Sequence, residues 1–313
     1  MTMKSFSAAA PCSTANLGPG YDVFGLALDA LEDRVKVSRT YSSGGRITIK
    51  NSDQAIPSIP ESNSAGLVVK KMMEDFEISD STEVEVTKGV PSGYGIGSSA
   101  ASAAAAAMAF NALYDLKIDR NRLVEYAAEG EVASAGMKHY DNVSASLLGG
   151  FVICSIGSDR LQVTRLEPPK DLVLVVAVPC LEVPKKKTEV ARSVLPKMVP
   201  LKDVVHNISG AATIVAGFAL KDVQTITRGI DDAIIESARK HLIPGYDGVK
   251  QNAISAGALA VTISGAGPSM IAFLKTDKNA KMVAAAMAKG FKDTGVESRT
   301  FVCRVSNGAR LLA

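Results

Sequence analysis

The stretch VPSGYGIGSSAASAAAAAMAF, residues 90–110, constrains the fold of this chain more than any other. Glycines at alternate positions, Gly93, Gly95 and Gly97, lead into Ser98 and Ser99 and then into a run that is almost wholly alanine. Glycine permits positive φ and a close approach to the backbone, and alanine lets a helix press on its neighbours. A helix from about 98 to 116 is therefore expected, tightly surrounded. A strand running through glycines into a helix is also the arrangement in which free backbone N–H groups and the positive helix end hold an anion, usually phosphate. The pattern lacks the lysine of the common P-loop. As a dinucleotide fingerprint it needs glycine or alanine where Ser98 stands, with Asp115 as the acidic partner, and the elements before it do not run βαβ. Taken alone, the stretch also allows a loop whose glycines serve turns only.

Around it, DRVKVSRTYSSGGRITIKN (33–51) reads as two strands joined by a Ser-Ser-Gly-Gly turn, a hairpin. NSAGLVVKKMMEDF (63–76) has helical spacing, and STEVEVTKGV (81–90) alternates as a strand. A helix over about 122–137 begins near the N-cap candidate Asp119, and 147–156 is a buried strand. The two prolines of RLEPPKD (165–171) mark a boundary, giving halves 1–166 and 167–313. A buried strand follows at 172–179, then several helices to about His241. Residues 258–274 make two strands around a glycine turn, 278–291 a helix and 297–305 a last strand.

No apolar run of about 18 residues is evident, which sets a membrane span aside, and residues 1–12 do not make a secretory signal. A formal charge of +3, 5% aromatics and no tryptophan offer little to nucleic acid. Cys12, Cys154, Cys180 and Cys303 are far apart with no Cys-x-x-Cys pair, so reduced thiols in a cytoplasmic protein are expected. The one basic run, Lys185, Lys186 and Lys187, reads as a solvated face.

Two further segments repeat the small-residue theme. APCSTANLGPGYDVFGLAL (10–28) lies near the start, and ISGAGPSMIAF (263–273) forms a second tight glycine turn. In order, Pro-x-Ser/Thr-x-Asn-Leu-Gly, Pro-x-Gly-x-Gly-x-Gly-Ser-Ser-Ala and Gly-x-Gly-Pro-Ser resemble the three motifs of the GHMP kinase superfamily, across almost the whole chain. The resemblance implies an α+β, two-domain GHMP kinase fold: an N-terminal half with a left-handed βαβ unit and a ferredoxin-like C-terminal half. It implies ATP and Mg²⁺ as cofactors and phosphoryl transfer to a small acceptor bound between the halves.

The resemblance also assigns residues. Pro91, Ser92, Gly93, Tyr94, Gly95, Ile96, Gly97, Ser98, Ser99, Ala100 and Ala101 would cradle the triphosphate, with Gly265 and Gly267 in the last turn and Asn63 near the adenine. Ser99 and Glu131 match the family's Mg²⁺ pair; Ser98 is alternatively the N-cap of the alanine helix. GEVASAGMKHYDNVSASLLGGF (130–151) is similar to homoserine kinases, with Asn142 where other members present a catalytic aspartate and Asp141 beside it. His139 is the rival for base work. Asn16 and Asp22 would face an amino-acid acceptor, and Arg192 and Arg239 match positions that hold its carboxylate. Arginine suits that task because its guanidinium forms two parallel hydrogen bonds. The expected partners are ATP and L-homoserine, with no nucleic acid and no membrane, and a homodimer through an exposed edge strand. Another kinase of the superfamily, acting on shikimate or mevalonate, a non-catalytic sensor and a nicotinamide oxidoreductase are the rivals.

Overall fold

The first half begins with two long strands, β1 (Ser5–Asn16) and β2 (Gly20–Ser43), followed by β3 (Ile47–Asn51), α1 (Ser64–Asp75), β4 (Asp80–Thr87) and α2 (Ser98–Leu113). Next come α3 (Arg120–Ala135), α4 (Tyr140–Leu148), β5 (Phe151–Ile156) and β6 (Leu161–Leu166). The computed structural model describes residues 4–51, 56–157, 160–183 and 187–313.

Residues Ala8, Ala9 and Ala10 on β1 are fully buried, as are Ala103 to Ala107 on α2. Small side chains on both elements let α2 press on the strand pair and on α1, α3 and α4, as the alanine run requires. Around α2, Val35, Val37, Val84, Met72, Phe110 and Leu147 fill the first core. Asp119 caps α3 as expected, accepting from the Asn121 and Arg122 N–H groups at 3.0 and 3.1 Å. α2 instead starts from Gly97, whose φ of +69° puts it in the left-handed region. Ser98 is therefore already helical and not the cap; its hydroxyl turns back to donate to Val90 O at 2.7 Å.

The expected hairpin over 33–51 is not formed. Both strands exist, but β4 lies between them, antiparallel to β2 and parallel to β3. β4 buries Val84 and Val86 and so takes an inner place, whereas β3, with exposed Lys50 and Asn51, suits an edge. β3, α1 and β4 thus make a parallel βαβ crossover. β2 is long enough to serve two neighbours. Its Phe24–Leu26 end pairs with β5, and its Arg34–Ser43 end pairs with β4. Residues 147 and 148, expected in the strand, close α4, because Gly149 with φ +74° ends the helix there.

The second half contains β7 (Val173–Pro179), α5 (Lys187–Ser193), α6 (Leu201–Leu220), α7 (Val223–Arg228) and α8 (Ile235–Arg239). It continues through α9 (Tyr246–Ser255), β8 (Ala260–Ile263), β9 (Met270–Leu274), α10 (Ala280–Lys292) and β10 (Ser298–Cys303), then β11 (Arg310–Leu312). Strands β10, β7, β9 and β8 lie in that order, all antiparallel, which is the split-βαβ pattern of ferredoxin-like domains. β11 leaves this sheet and pairs with β1 in the first. Phe151 stacks on Phe218 at 3.9 Å between centroids, in a core shared by both halves.

α6 corrects one expectation. It is 20 residues long with a mean hydropathy of 1.3, long and apolar enough by composition to cross a bilayer. Here it is docked by Ile214 and Phe218, and its Asn207 makes internal hydrogen bonds. Lys185 and Lys186 lie outside the described residues.

Candidate active site

The three small-residue motifs meet in space through their backbones. Ser13 N donates to Ile96 O (3.2 Å), Gly265 N to Ala15 O (3.3 Å) and Ser269 N to Tyr94 O (3.2 Å). Ser264 Oγ bridges Thr14 Oγ1 and Gly95 O, both at 2.9 Å. The glycines are what this closeness demands. All three have φ between +69° and +89°, and a Cβ on Gly95 or Gly97 would lie 2.4 Å from Ser264 O or 2.1 Å from Ser13 Oγ.

A cleft of about 380 Å³ opens at this junction. It is lined by Asn16, Asp22, Asn63, Ser92, Gly93, Gly95, Gly97, Ser98, Ser99, Glu131, His139, Asp141, Asn142, Arg192, Arg239 and Gly265 among others. Pro91, Tyr94, Ile96, Ala100, Ala101 and Gly267 do not line it. Ile96, Ala100 and Ala101 are core residues, and Tyr94 turns away to donate its hydroxyl to Leu181 O at 2.8 Å. The N-terminus of α2 carries no side-chain cap, so its first N–H groups are left for a ligand in the cleft.

Beneath that helix end, Lys88 and Asp33 form a buried ion pair that sequence reading missed. The Lys88 ammonium also donates to Ser98 O (2.9 Å), Ser98 Oγ (2.7 Å) and Ser102 Oγ (3.0 Å). Asp33 accepts from the Gly89 and Val90 N–H groups, each at 2.9 Å, and from Ser102 Oγ at 2.6 Å. Burial pulls the lysine below its usual range, and the aspartate opposes that pull. A buried cation thus stands beneath the helix end, carried by the residue after β4, where the segment VTKGV was its only signal.

Ser99 Oγ donates to Glu131 Oε1 at 2.6 Å, and Glu131 is buried. Burial pushes its carboxyl up to about 7. These two hard oxygen donors suit Mg²⁺, which takes one or two ligands from protein and the rest from phosphate and water. Next to them, His139 Nδ1 stands 3.9 Å from Glu131 Oε2, and its buried Nε2 has no hydrogen-bond partner among the described residues. Burial, with Arg192 and Arg239 nearby, keeps the imidazole below its ordinary range. Ser13 Oγ donates to Asn142 Oδ1 at 3.0 Å, and Asp141 Oδ1 accepts from Asn142 N at 2.7 Å. Burial and then the charge of Asp22 raise the Asp141 carboxyl to about 7.

Arg192 pairs with Asp22 at 2.7 Å. Arg239 is 3% exposed, too buried for the solvated face an isolated helical arginine usually occupies, and its Nε donates to Ala191 O at 2.9 Å. Asn16 ties the motifs together, donating to Gly265 O (2.8 Å) while accepting from Asp22 N (3.1 Å). Asn63 is the N-cap of α1, accepting from Gly66 N at 3.0 Å and donating to Pro57 O at 2.9 Å. Lys187, expected on a solvated face, lines the cleft instead. Its ammonium reaches Gly267 O, and burial followed by Arg239 lowers it to about 7.

The chain is similar to known proteins along its whole length. The family model of the GHMP kinases N terminal domain matches residues 63–150, and that of the GHMP kinases C terminal region matches residues 214–293. A homoserine kinase of Thermoplasma volcanium is 39% identical over all of this chain and 98% of its own length. One from Haloquadratum walsbyi is 40% identical over 96% of this chain and 98% of its own. The crystal structure of homoserine kinase from Cytophaga hutchinsonii superposes with a TM-score of 0.91 at 36% identity, over 99% of this chain and 98% of that one.

Proposed function

The chain belongs to the GHMP kinase family, and we propose that its cleft binds ATP along residues 91–101 and L-homoserine against Asp22, Arg192 and Arg239. It is an ATP-dependent homoserine kinase, giving O-phospho-L-homoserine and ADP, a step of threonine biosynthesis. The observation that carries the acceptor is the Asp22–Arg192 pair with buried Arg239 beside it. An amino acid brings one carboxylate and one ammonium, so it exchanges a protein ion pair for two ligand ion pairs. The carboxylate goes to the guanidiniums and the ammonium to Asp22. A sugar or a simple alcohol has no such exchange to offer.

Phosphoryl transfer asks chiefly for positioning and for neutralised charge on the phosphates. The free N–H groups at the start of α2 supply donors, and the Lys88–Asp33 pair beneath them holds the Ser98 carbonyl and hydroxyl in place. Ser99 and Glu131 would hold Mg²⁺, which when bound would supply charge neutralisation for the transfer. The homoserine hydroxyl oxygen forms the new bond to the γ-phosphorus as the bond to the ADP oxygen breaks. Asn142 orients that hydroxyl; its amide takes up no proton, so the proton leaves late or to the transferred phosphate, and His139 serves as an orienting group. The Ser99–Glu131 contact supports an enzyme rather than a sensor, which has no need of a metal.

We take residues 1–166 as the ATP-binding half and 167–313 as the ferredoxin-like half, with β11 returning to the first sheet. A cytoplasmic location goes with this reading, as does a homodimer. Exposed Leu201, Val205, Ile208 and Leu220 on α6 support self-association more than an edge strand does. Sedimentation that returns a single 32.7 kDa species would remove the dimer.

The deciding experiment is ADP release with ATP and Mg²⁺ against homoserine, shikimate, mevalonate, galactose and threonine. Turnover confined to homoserine is expected. Turnover with another alcohol alone overturns the acceptor while leaving the nucleotide site.

A further inference from the structure

Tyr21 is the second residue of β2, beside Asp22, and lines the cleft. Its ring is within cation–π reach of both arginines, 5.5 Å from Arg192 Cζ and 5.1 Å from Arg239 Cζ. Both cation–π contacts help to fix the ring. Its hydroxyl oxygen is buried and has no hydrogen-bond partner among the described residues, although the Arg239 guanidinium lies close by. A buried phenol without a partner costs about 1–3 kcal/mol, so its persistence calls for an explanation.

The chemistry of the neighbours narrows what completes it. Both guanidiniums are donors only, and a phenol below its pKa carries a proton to donate. Burial and Asp22 hold that pKa above its ordinary value, so the proton stays on near neutrality. Three donor groups converging on one part of the cleft leave place for an acceptor with several lone pairs, and a carboxylate is the group that meets this demand.

We propose that Tyr21 is a specificity-determining residue whose hydroxyl donates the third hydrogen bond to the carboxylate of the amino-acid substrate, alongside Arg192 and Arg239. The inference rests on the acceptor reading above and extends it. The site then distinguishes an amino-acid alcohol from an amino alcohol of the same length by a donor that is otherwise orphaned. That kind of polar site discriminates strongly, because the wrong ligand leaves a buried group unpaired.

The test is Tyr21→Phe, which keeps the ring beside both guanidiniums and removes only the hydroxyl. A hydrogen bond to a charged group corresponds to roughly a tenfold or larger change in binding. The KM for L-homoserine is expected to rise by about that factor while kcat and the KM for ATP move far less. Thermal stability should hold or rise, since an unpaired buried hydroxyl is gone. Competitive inhibition by 3-aminopropan-1-ol, which lacks the carboxylate, should be the same for both proteins. An unchanged homoserine KM overturns the inference, as does an equal loss for 3-aminopropan-1-ol or a fall in stability without a change in KM. Those results leave the kinase reading intact if the wild type turns over homoserine. Absence of wild-type turnover with homoserine defeats the acceptor reading and this inference together.

Discussion

Replacing Lys88 with Met tests how the nucleotide end of the cleft is built. The substitution keeps the stem and removes the ammonium, leaving the Asp33 carboxylate, which is fully buried, with three donors: Gly89 N, Val90 N and Ser102 Oγ. Breaking a buried pair from one side costs about 3–5 kcal/mol. The three remaining donors solvate the carboxylate in part, which places the expected loss near the lower end, about 3 kcal/mol. Against a typical stability of about 5–15 kcal/mol, that is a large fraction. The chain has no tryptophan, so urea unfolding is best followed by far-ultraviolet circular dichroism. Ser98 also loses two contacts at the start of α2, so the KM for ATP should rise. Asp33→Asn alone strands the lysine and should cost a similar amount. The double variant Lys88→Met/Asp33→Asn removes both charges and should fall short of the sum of the singles by at least about 1 kcal/mol. A Lys88→Met protein within about 1 kcal/mol of wild type, with the double variant merely additive, would refute the view that this pair organises the helix end.

Three further outcomes are expected. Arg239→Ala should raise the KM for homoserine steeply with little effect on ATP, and equal losses for both substrates would remove the arginine from the carboxylate site. Glu131→Gln should cut turnover by orders of magnitude and raise the magnesium requirement; an unchanged magnesium dependence counts against the metal assignment. The Asp141 carboxyl, raised from 3.8 to about 7, stabilises the fold in its neutral form. That contribution is complete below the unfolded value near 3.8 and is lost as pH rises through about 7. Asp141→Asn should therefore flatten the decline in melting temperature across this window, and an unaltered pH profile would show that the carboxyl titrates normally.

The glycine stretch and the alanine helix were legible because each limits the backbone in a way few arrangements satisfy, and so were Asp119 as a cap and the β, β, α, β order at the end. Pairing was not legible. Nothing local in residues 33–51 reveals that β4 inserts between the two strands, since register is decided by which strand has more apolar surface to bury. Lys88 escaped notice for a related reason. A lone lysine closing a strand reads as solvated until the fold places Asp33 under it, 55 residues away. Lys187 reads as solvated from the charged run it closes, yet it lines the cleft. Tyr21 gave no sign at all, for its meaning lies in two arginines from the other half of the chain.

β11 ties the order of synthesis to the order of folding. The edge of β1 pairs with residues 310–312, and the segment leading there donates from Ser306 N to Ala27 O, from Ala309 N to Leu147 O, and accepts from Arg120 at Ala309 O. α4, which carries Asn142, is thus braced by chain made nearly three hundred residues after β1. During translation the first half, though first to emerge, keeps one strand edge open for as long as the ribosome is still building the second. A nascent chain stalled within β10 would hold every lining residue of the cleft and still lack the strap that steadies it, leaving an open edge for a chaperone, or a neighbouring nascent chain, to meet first.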